Sequence, residues 1–151
     1  MAKPSIFVQA DREALLARLA RLQPGAQRQW GTMDAPRMLA HCQQPLLVAL
    51  GDLRLKRGLV GLLFGGMARK KLLADAPWGQ NMPTAPEFKV PGSGEFERER
   101  EALVGLLRRL GEGGPAELTK DPHPFFGALS VEQWDCLQWR HLDHHLRQFG
   151  N

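Results

Sequence analysis

Apolar residues recur at intervals of three and four along most of this chain, which is the spacing of one face of an α-helix. The clearest case is DREALLARLARL, residues 11–22, whose leucines share one face before Pro24 and Gly25 end the helix. No segment shows the strict alternation that predicts a β-strand, and no Asn-Gly or Asp-Gly turn separates two such runs. The pattern therefore predicts an all-α fold.

Four further helical segments are predicted, and they are 34–50, 58–74, 95–110 and 130–149. Thr32 or Asp34 would cap the first of them, and Gly51 would end it. Gly111 would end the helix that begins near residue 95, and Ser130 with Gln133 forms a capping box at the last. Four main helices with long loops fit a four-helix bundle, and whether the glycine-rich segment 58–74 adds a fifth short helix is left open.

Length and composition indicate one helical domain spanning residues 1–151. The formal charge is +4, but basic and acidic residues are mixed along the chain, so we expect no nucleic-acid partner. Cys42 and Cys136 lie far apart, and the N-terminus lacks the apolar run of a signal peptide. The most apolar stretch, 58–68, is about half a membrane span. We therefore expect a cytoplasmic protein with no membrane partner.

The last predicted helix contains HLDHHLRQFG, which holds three of the five histidines in the chain. At roughly 100° per residue, one narrow stripe of this helix carries Trp134, Gln138, His141 and His145. The opposite side is predicted to be solvated, and it carries Glu132, Asp135, Arg140, Asp143 and Arg147. His144 falls at the edge of the stripe. His141 and His145 are therefore expected to point inward from consecutive turns.

Two histidines four residues apart on one helical face can bind one divalent ion, but a metal site needs a third ligand from elsewhere. His41 lies in the second predicted helix on a side expected to face the core, whereas His123 lies between two prolines in a loop. His123 is interpreted mainly as a loop plug whose neighbouring phenylalanines seal the bundle. Spacing alone leaves two interpretations open, a metal site and a hydrogen-bonded polar network in the core.

A histidine in the second helix followed by HLDHHLRQFG resembles the DinB-like (YfiT-like) superfamily of bacterial four-helix metalloproteins, and HPFFGALSVEQW resembles one branch of it. The resemblance implies an up-down-down-up bundle and a divalent ion, zinc or nickel, held by His41, His141 and His145. The remaining coordination positions would be open to water or substrate. The resemblance also implies a homodimer. Residues that would lie behind the ligands or line a pocket are His144, Gln138, Trp134 and His123.

Two functions are compatible with these observations. The first is a metal-dependent transferase or hydrolase, because some members of the superfamily are thiol transferases that would act on a small-molecule thiol and an electrophile. The second is a non-catalytic dimeric stress-related or binding protein, in which the histidines form a polar network in the core. Metal content distinguishes the two.

Overall fold

The computed structural model describes residues 3–84, 86–91 and 94–151, and the regular structure of these parts is helical. The α-helices are α1 (Gln9–Arg21), α2 (Ala35–Leu50), α3 (Leu59–Leu73), α4 (Phe96–Gly113) and α5 (Val131–Gln148). Short 3₁₀ segments, Pro86–Phe88 and Gly114–Glu117, precede and follow α4. The all-α prediction is confirmed. Residues 85, 92 and 93 of the predicted irregular stretch lie outside the described residues.

The predicted caps of α2 and α5 form as hydrogen bonds. Asp34, rather than Thr32, caps α2, since its side chain accepts from the backbone N–H of Arg37 at 2.9 Å. Gly51 ends that helix with a φ of 76°, a left-handed conformation that favours glycine. The Ser130 hydroxyl accepts from Gln133 N–H at 3.3 Å, and the Gln133 side chain accepts from Ser130 N–H at 3.0 Å. These local signals fix where both helices begin.

The predicted end of α4 at Gly111 is wrong, because the helix continues to Gly113 and Gly114 follows it with a φ of 75°. Gly111 instead permits close packing inside the bundle. A Cβ atom at this position would lie 2.4 Å from Cδ of Arg12 and 2.7 Å from the carbonyl oxygen of Ile6. The buried Arg12 guanidinium donates hydrogen bonds to the carbonyls of both Ile6 and Gly111. Gly111 therefore makes room for an arginine that joins α1 to α4.

Four of the helices enclose the core, with α4 and α5 each packed against both α1 and α2. Large apolar side chains from all four helices are almost fully buried, and they include Leu15, Leu19, Met38, Leu39, Leu46, Leu103, Leu107, Leu110, Leu142 and Leu146. Burying each such side chain stabilises the fold by about 1.5–3 kcal/mol relative to exposure. The predicted four-helix core is confirmed, and α3 lies outside it as a fifth helix packed against α5.

The side of α5 that was predicted to be solvated is partly covered. Glu132 and Arg147 are exposed, but Asp135 and Asp143 are half-buried. Asp135 accepts a hydrogen bond from Ile6 N–H at 2.8 Å, and Asp143 forms an ion pair with Arg18 of α1 at 2.7 Å. The prediction fails because polar residues of α5 hold α1 and the segment before it by charge-assisted hydrogen bonds. Within the described residues, no helix is both long and apolar enough for a bilayer span.

Candidate metal centre

Three histidines from two helices meet between α2 and α5. His41 is buried on α2, and His141 and His145 face it from consecutive turns of α5. The ring centroids lie 4.9 Å apart for His41 and His141, 4.7 Å for His41 and His145, and 4.6 Å for His141 and His145. One nitrogen of each ring lies within 4.8 Å of a nitrogen of the other two. The three imidazoles are therefore close enough to bind one metal ion.

The ring of His41 is oriented by the loop before α4. Its Nδ1 atom lies 3.1 Å from the carbonyl oxygen of Phe88, in the 3₁₀ segment Pro86–Phe88 that packs on α2. Because a carbonyl oxygen can only accept, Nδ1 of His41 carries the proton. In the neutral ring, Nε2 then holds a lone pair, which is the form that a metal ligand requires.

His145 is oriented in the same way by a side chain of its own helix. Its Nδ1 atom lies 2.9 Å from Oε1 of Gln148, and Nε2 of Gln148 donates to the carbonyl oxygen of Trp30 at 2.8 Å. The amide is held at both ends, so Nδ1 of His145 is the donor and its Nε2 carries the lone pair. Gly31 permits this arrangement, since its φ is 79° and a Cβ atom there would lie 2.4 Å from Nε2 of Gln148.

His141 completes the cluster through a contact with His41. The two Nε2 atoms lie 3.0 Å apart, and since Nε2 of His41 holds a lone pair, Nε2 of His141 donates in this arrangement. Two nitrogens that share one ion at about 2.1 Å each stand about 3.0–3.4 Å apart. The separation of this pair thus fits joint ligation, for which His141 must carry its proton on Nδ1.

Burial lowers the pKa of all three rings. The pKa of His145 falls to about 3, mainly by burial and secondly through the neighbouring His41. The pKa of His141 is held well below its usual range by burial and then by His145 and His41, and burial also lowers that of His41. All three rings are therefore neutral at physiological pH, which is the protonation state of a metal-binding imidazole. The donor set fits a divalent ion such as zinc or nickel.

His144 lies beside the cluster rather than in it. Its ring is half-buried and stands 5.1 Å from that of His145, 5.6 Å from that of Trp30 and 5.8 Å from that of Trp78. Trp78 also lies 6.2 Å from the His141 ring, and its indole N–H donates to the carbonyl oxygen of Leu72 at 2.8 Å. Two tryptophans and His144 thus cover one side of the three-histidine cluster.

A groove of about 340 Å³ opens over this aromatic cover. Its walls include Trp30, Trp78, Trp139, Arg140, Asp143 and His144. The Arg140 guanidinium lies 5.5 Å above the Trp78 ring and donates to the carbonyls of Ala74 and Ala76, which holds the wall in place. The groove is open to solvent and combines aromatic rings with five charged side chains, which are those of Lys3, Asp75, Arg140, Asp143 and Arg147.

The other candidate residues make contacts away from the cluster. Gln138 donates to the carbonyl oxygen of Pro45 at 3.3 Å, between α5 and α2. Nδ1 of His123 accepts from the backbone N–H groups of Phe125 and Phe126, and its ring lies 5.4 Å from the buried Trp134. Burial lowers the pKa of His123 to about 4. These contacts hold the His123 ring inside the loop before α5, where it packs against Trp134.

Sequence reasoning missed the groups that orient the ligands. Gln148 follows His145 by three residues on one helix, so helical spacing could have identified it. The carbonyl of Phe88 and the rings of Trp30 and Trp78 carried no such signal, because irregular segments deliver them.

Residues 80–151 match a family described as "Protein of unknown function (DUF1569)". The match spans just under half of the chain, and it contains His141 and His145 but not His41. No curated protein and no solved structure matches this chain.

Proposed function

We propose that this chain is a divalent-metal-binding protein of the DinB-like superfamily, with His41, His141 and His145 as ligands to zinc or nickel. The observation that carries the proposal is the convergence of three neutral imidazoles, two of which have Nδ1 held by an acceptor. Metal-binding histidines are commonly oriented in this way, since the Nδ1 hydrogen bond fixes the tautomer and raises the basicity of Nε2. The four-helix core and the position of His41 on α2 support the superfamily assignment.

The proposed activity is that of a metal-dependent transferase or hydrolase. A divalent ion with three histidine ligands leaves coordination positions open and favours deprotonation of a thiol or of water at neutral pH. Phe88 and Gln148 hold the ligand rings, and burial keeps these rings uncharged. Trp30 and Trp78 lie beside His144 and His141 on one side of the cluster. The adjoining groove is large enough for a small-molecule thiol or electrophile.

One observation favours a second candidate, a non-catalytic protein whose histidines form a polar network. The contact between Nε2 of His41 and Nε2 of His141, at 3.0 Å, is a complete hydrogen bond without any ion. In that case the cluster would satisfy buried polar groups and join α2 to α5. The two candidates differ in whether the protein retains metal.

Elemental analysis of untagged protein tests the proposal. We expect about one equivalent of zinc or nickel per chain in the wild type, and loss of that metal in His41→Ala and His141→Ala. The matched control is His144→Phe, which retains a ring beside Trp30 and Trp78 and should retain the metal. The metal proposal would be contradicted if the wild type contained no metal and bound none on incubation with zinc or nickel. The cluster would then be a polar network in the core.

A second measurement separates an open catalytic site from a closed structural one. In cobalt-substituted protein, a small thiol should change the visible absorption spectrum if coordination positions are open. An unchanged spectrum over a wide range of thiol concentration would contradict the proposed transferase chemistry while leaving metal binding intact.

A further inference from the structure

Helix α3 presents an apolar surface to the outside of the molecule. Six of its large apolar side chains are more than half exposed, and they are Leu59, Val60, Leu62, Leu63, Phe64 and Met67. Contiguous apolar patches of this kind normally mark an interaction site. This surface belongs to a different part of the fold from the histidine cluster, and neither the core nor the metal proposal explains it.

Glycines on the opposite side of α3 hold this apolar surface outward. Gly61 and Gly65 are buried against the backbone of Phe125 in the loop before α5. A Cβ atom on Gly65 would lie 2.1 Å from the carbonyl oxygen of Phe125, so only glycine allows this approach. At 100° per residue, the exposed apolar residues cover an arc of roughly 200° whose centre lies opposite the two glycines. The helix therefore forms a convex apolar ridge fixed to the protein by its glycine side.

Positive charge brackets the ridge at both ends. Residues 53–74 contain six cationic residues and no acidic residue, and the cations are Arg54, Lys56, Arg57, Arg69, Lys70 and Lys71. Lys56, Lys70 and Lys71 are exposed. Asp121 faces Arg54 at 3.8 Å from another part of the chain. The segment that carries the ridge is thus itself purely cationic.

We propose that α3 docks on the surface of an anionic lipid membrane, with its apolar ridge in the interface and its terminal cations at the lipid headgroups. Helices that lie in a bilayer interface combine leucine and phenylalanine on one face with lysine and arginine beside it. Cations close to an anionic leaflet add attraction that depends on salt. Helix α3 has no polar face of its own, and its side away from the ridge is instead covered by the protein through Gly61 and Gly65.

The same features disfavour a second copy of the chain as the occupant. In an antiparallel pairing of two α3 helices, Lys56 and Arg57 of one copy would lie near Lys70 and Lys71 of the other. A parallel pairing would also bring like charges together, and the two acids that flank residues 53–74, Asp52 and Asp75, already pair with Arg109 and Lys3. A convex arc of roughly 200° is also poorly covered by another convex helix, whereas a bilayer interface deforms around it. The predicted homodimer stays a prediction and would use another face.

Docking of α3 on a membrane would contradict the expectation of no membrane partner, which rested on an apolar stretch too short for a span of about 20 residues. Helix α3 has 15 residues, so it is suited to lying on a membrane and not to crossing it.

Vesicle flotation of the full chain tests the proposal. We expect the protein to float with vesicles of phosphatidylcholine and phosphatidylglycerol at low salt, and not with vesicles of phosphatidylcholine alone. Leu63→Glu, at the centre of the ridge, should abolish flotation. The double variant Lys70→Glu with Lys71→Glu should lower partitioning by about tenfold or more. Circular dichroism should show unchanged folding, because these side chains are exposed.

The matched control is Arg21→Glu with Arg98→Glu, which changes net charge equally at exposed positions of α1 and α4. This control should retain most of the binding, because its charges lie off the ridge. Absence of flotation with phosphatidylglycerol vesicles would overturn the proposal, as would undiminished flotation of Leu63→Glu. A dimer in light scattering that Leu63→Glu converts to monomer would instead make α3 a self-association surface.

Discussion

One hydrogen bond at His145 decides which of its ring nitrogens is available to a ligand. The Gln148 amide accepts from Nδ1 and is itself anchored on Trp30, so rotation of the ring would break its hydrogen bond to an oxygen that is held in place. Ordering a side chain before the ion arrives reduces the free energy that binding must supply. The residues that orient the ligand rings therefore contribute to metal affinity in addition to the ligands themselves.

We expect Gln148→Leu to weaken zinc binding by about tenfold to a hundredfold, because His145 loses the acceptor that fixes its tautomer. Gln148→Glu retains an oxygen acceptor for Nδ1 and should retain most of the affinity. Competition with a chromogenic chelator measures both. Gln138→Leu removes another buried amide of α5, one that contacts Pro45, and should leave affinity unchanged. Equal affinities for the two leucine variants would contradict this role of Gln148.

His123 makes a separate contribution to the pH dependence of stability. Burial lowers its pKa from 6.5 to about 4. As the pH falls through this window, the unfolded chain takes up a proton that the folded chain does not, so the free energy of unfolding decreases. Above about pH 6.5, His123 does not lower the free energy of unfolding. Near pH 4, the free energy of unfolding that is lost through His123 alone reaches about 3 kcal/mol.

His123→Asn tests this contribution, because the asparagine carbonyl can accept from the same backbone N–H groups without titrating. Between pH 7 and pH 5, the metal-free variant should lose about 2 kcal/mol less unfolding free energy than the metal-free wild type. Urea denaturation at the two pH values measures the difference. An identical pH dependence in both proteins would show that the pKa of His123 in the folded state is not lowered from 6.5.

At the scale of elements, α3 depends on packing rather than on its own helix propensity. Its sequence holds three glycines between Leu59 and Leu73, each of which disfavours a helix by about 1 kcal/mol relative to alanine. Gly61 and Gly65 offset this by close contact with the HPFFG loop, whose own conformation is held by His123 and by its bridge to Gly127. The helix and the loop therefore stabilise each other.

Two adjacent glycines of α3 should respond in opposite directions to alanine. A Cβ atom on Gly65 meets the carbonyl oxygen of Phe125, so Gly65→Ala should lower the free energy of unfolding by about 1–3 kcal/mol. No atom lies within 4 Å of a Cβ on Gly66, so Gly66→Ala should raise it by about 0.5–1 kcal/mol. Urea denaturation measures both changes. Equal effects would mean that α3 does not rest on the loop.

At the scale of the whole molecule, the histidine cluster joins residues that are 100 positions apart in the chain. A bound ion would link α2 to α5 only in the folded state, so it would stabilise the entire bundle by mass action. The ion pair of Arg18 with Asp143 joins α1 to the same helix. Helix α5 is thus where distant parts of the chain are held together.

Zinc at about a hundred times its Kd should stabilise the wild type by about 2.7 kcal/mol, which raises the Tm by about 5–10 °C. A chelator should reverse this shift. His41→Ala should show no shift in Tm, because its two remaining ligands both lie on α5 and an ion could no longer link α2 to α5. His144→Phe should respond like the wild type. Differential scanning fluorimetry measures the Tm, and a shift of the same size in His41→Ala would exclude His41 as a ligand.

The local pattern of the sequence was sufficient to predict the positions of the four core helices and the caps of α2 and α5. Apolar spacing located the helices, and Asp34 and Ser130 supplied start signals that depend only on residues within one turn. Helical periodicity also separated His141 and His145 from His144. Such features are predictable because their physical causes act over a few residues.

Only the tertiary structure decided which distant groups meet. Gly111 was predicted to end α4, but Arg12 packs against it and the helix continues. Asp143 was predicted to be solvated, but it pairs with Arg18 of another helix. The convergence of His41 with His141 and His145, which the family resemblance implied, depends on how α2 packs against α5. The acceptors on Phe88 and Gln148 and the outward ridge of α3 likewise depend on long-range packing, which local periodicity does not encode.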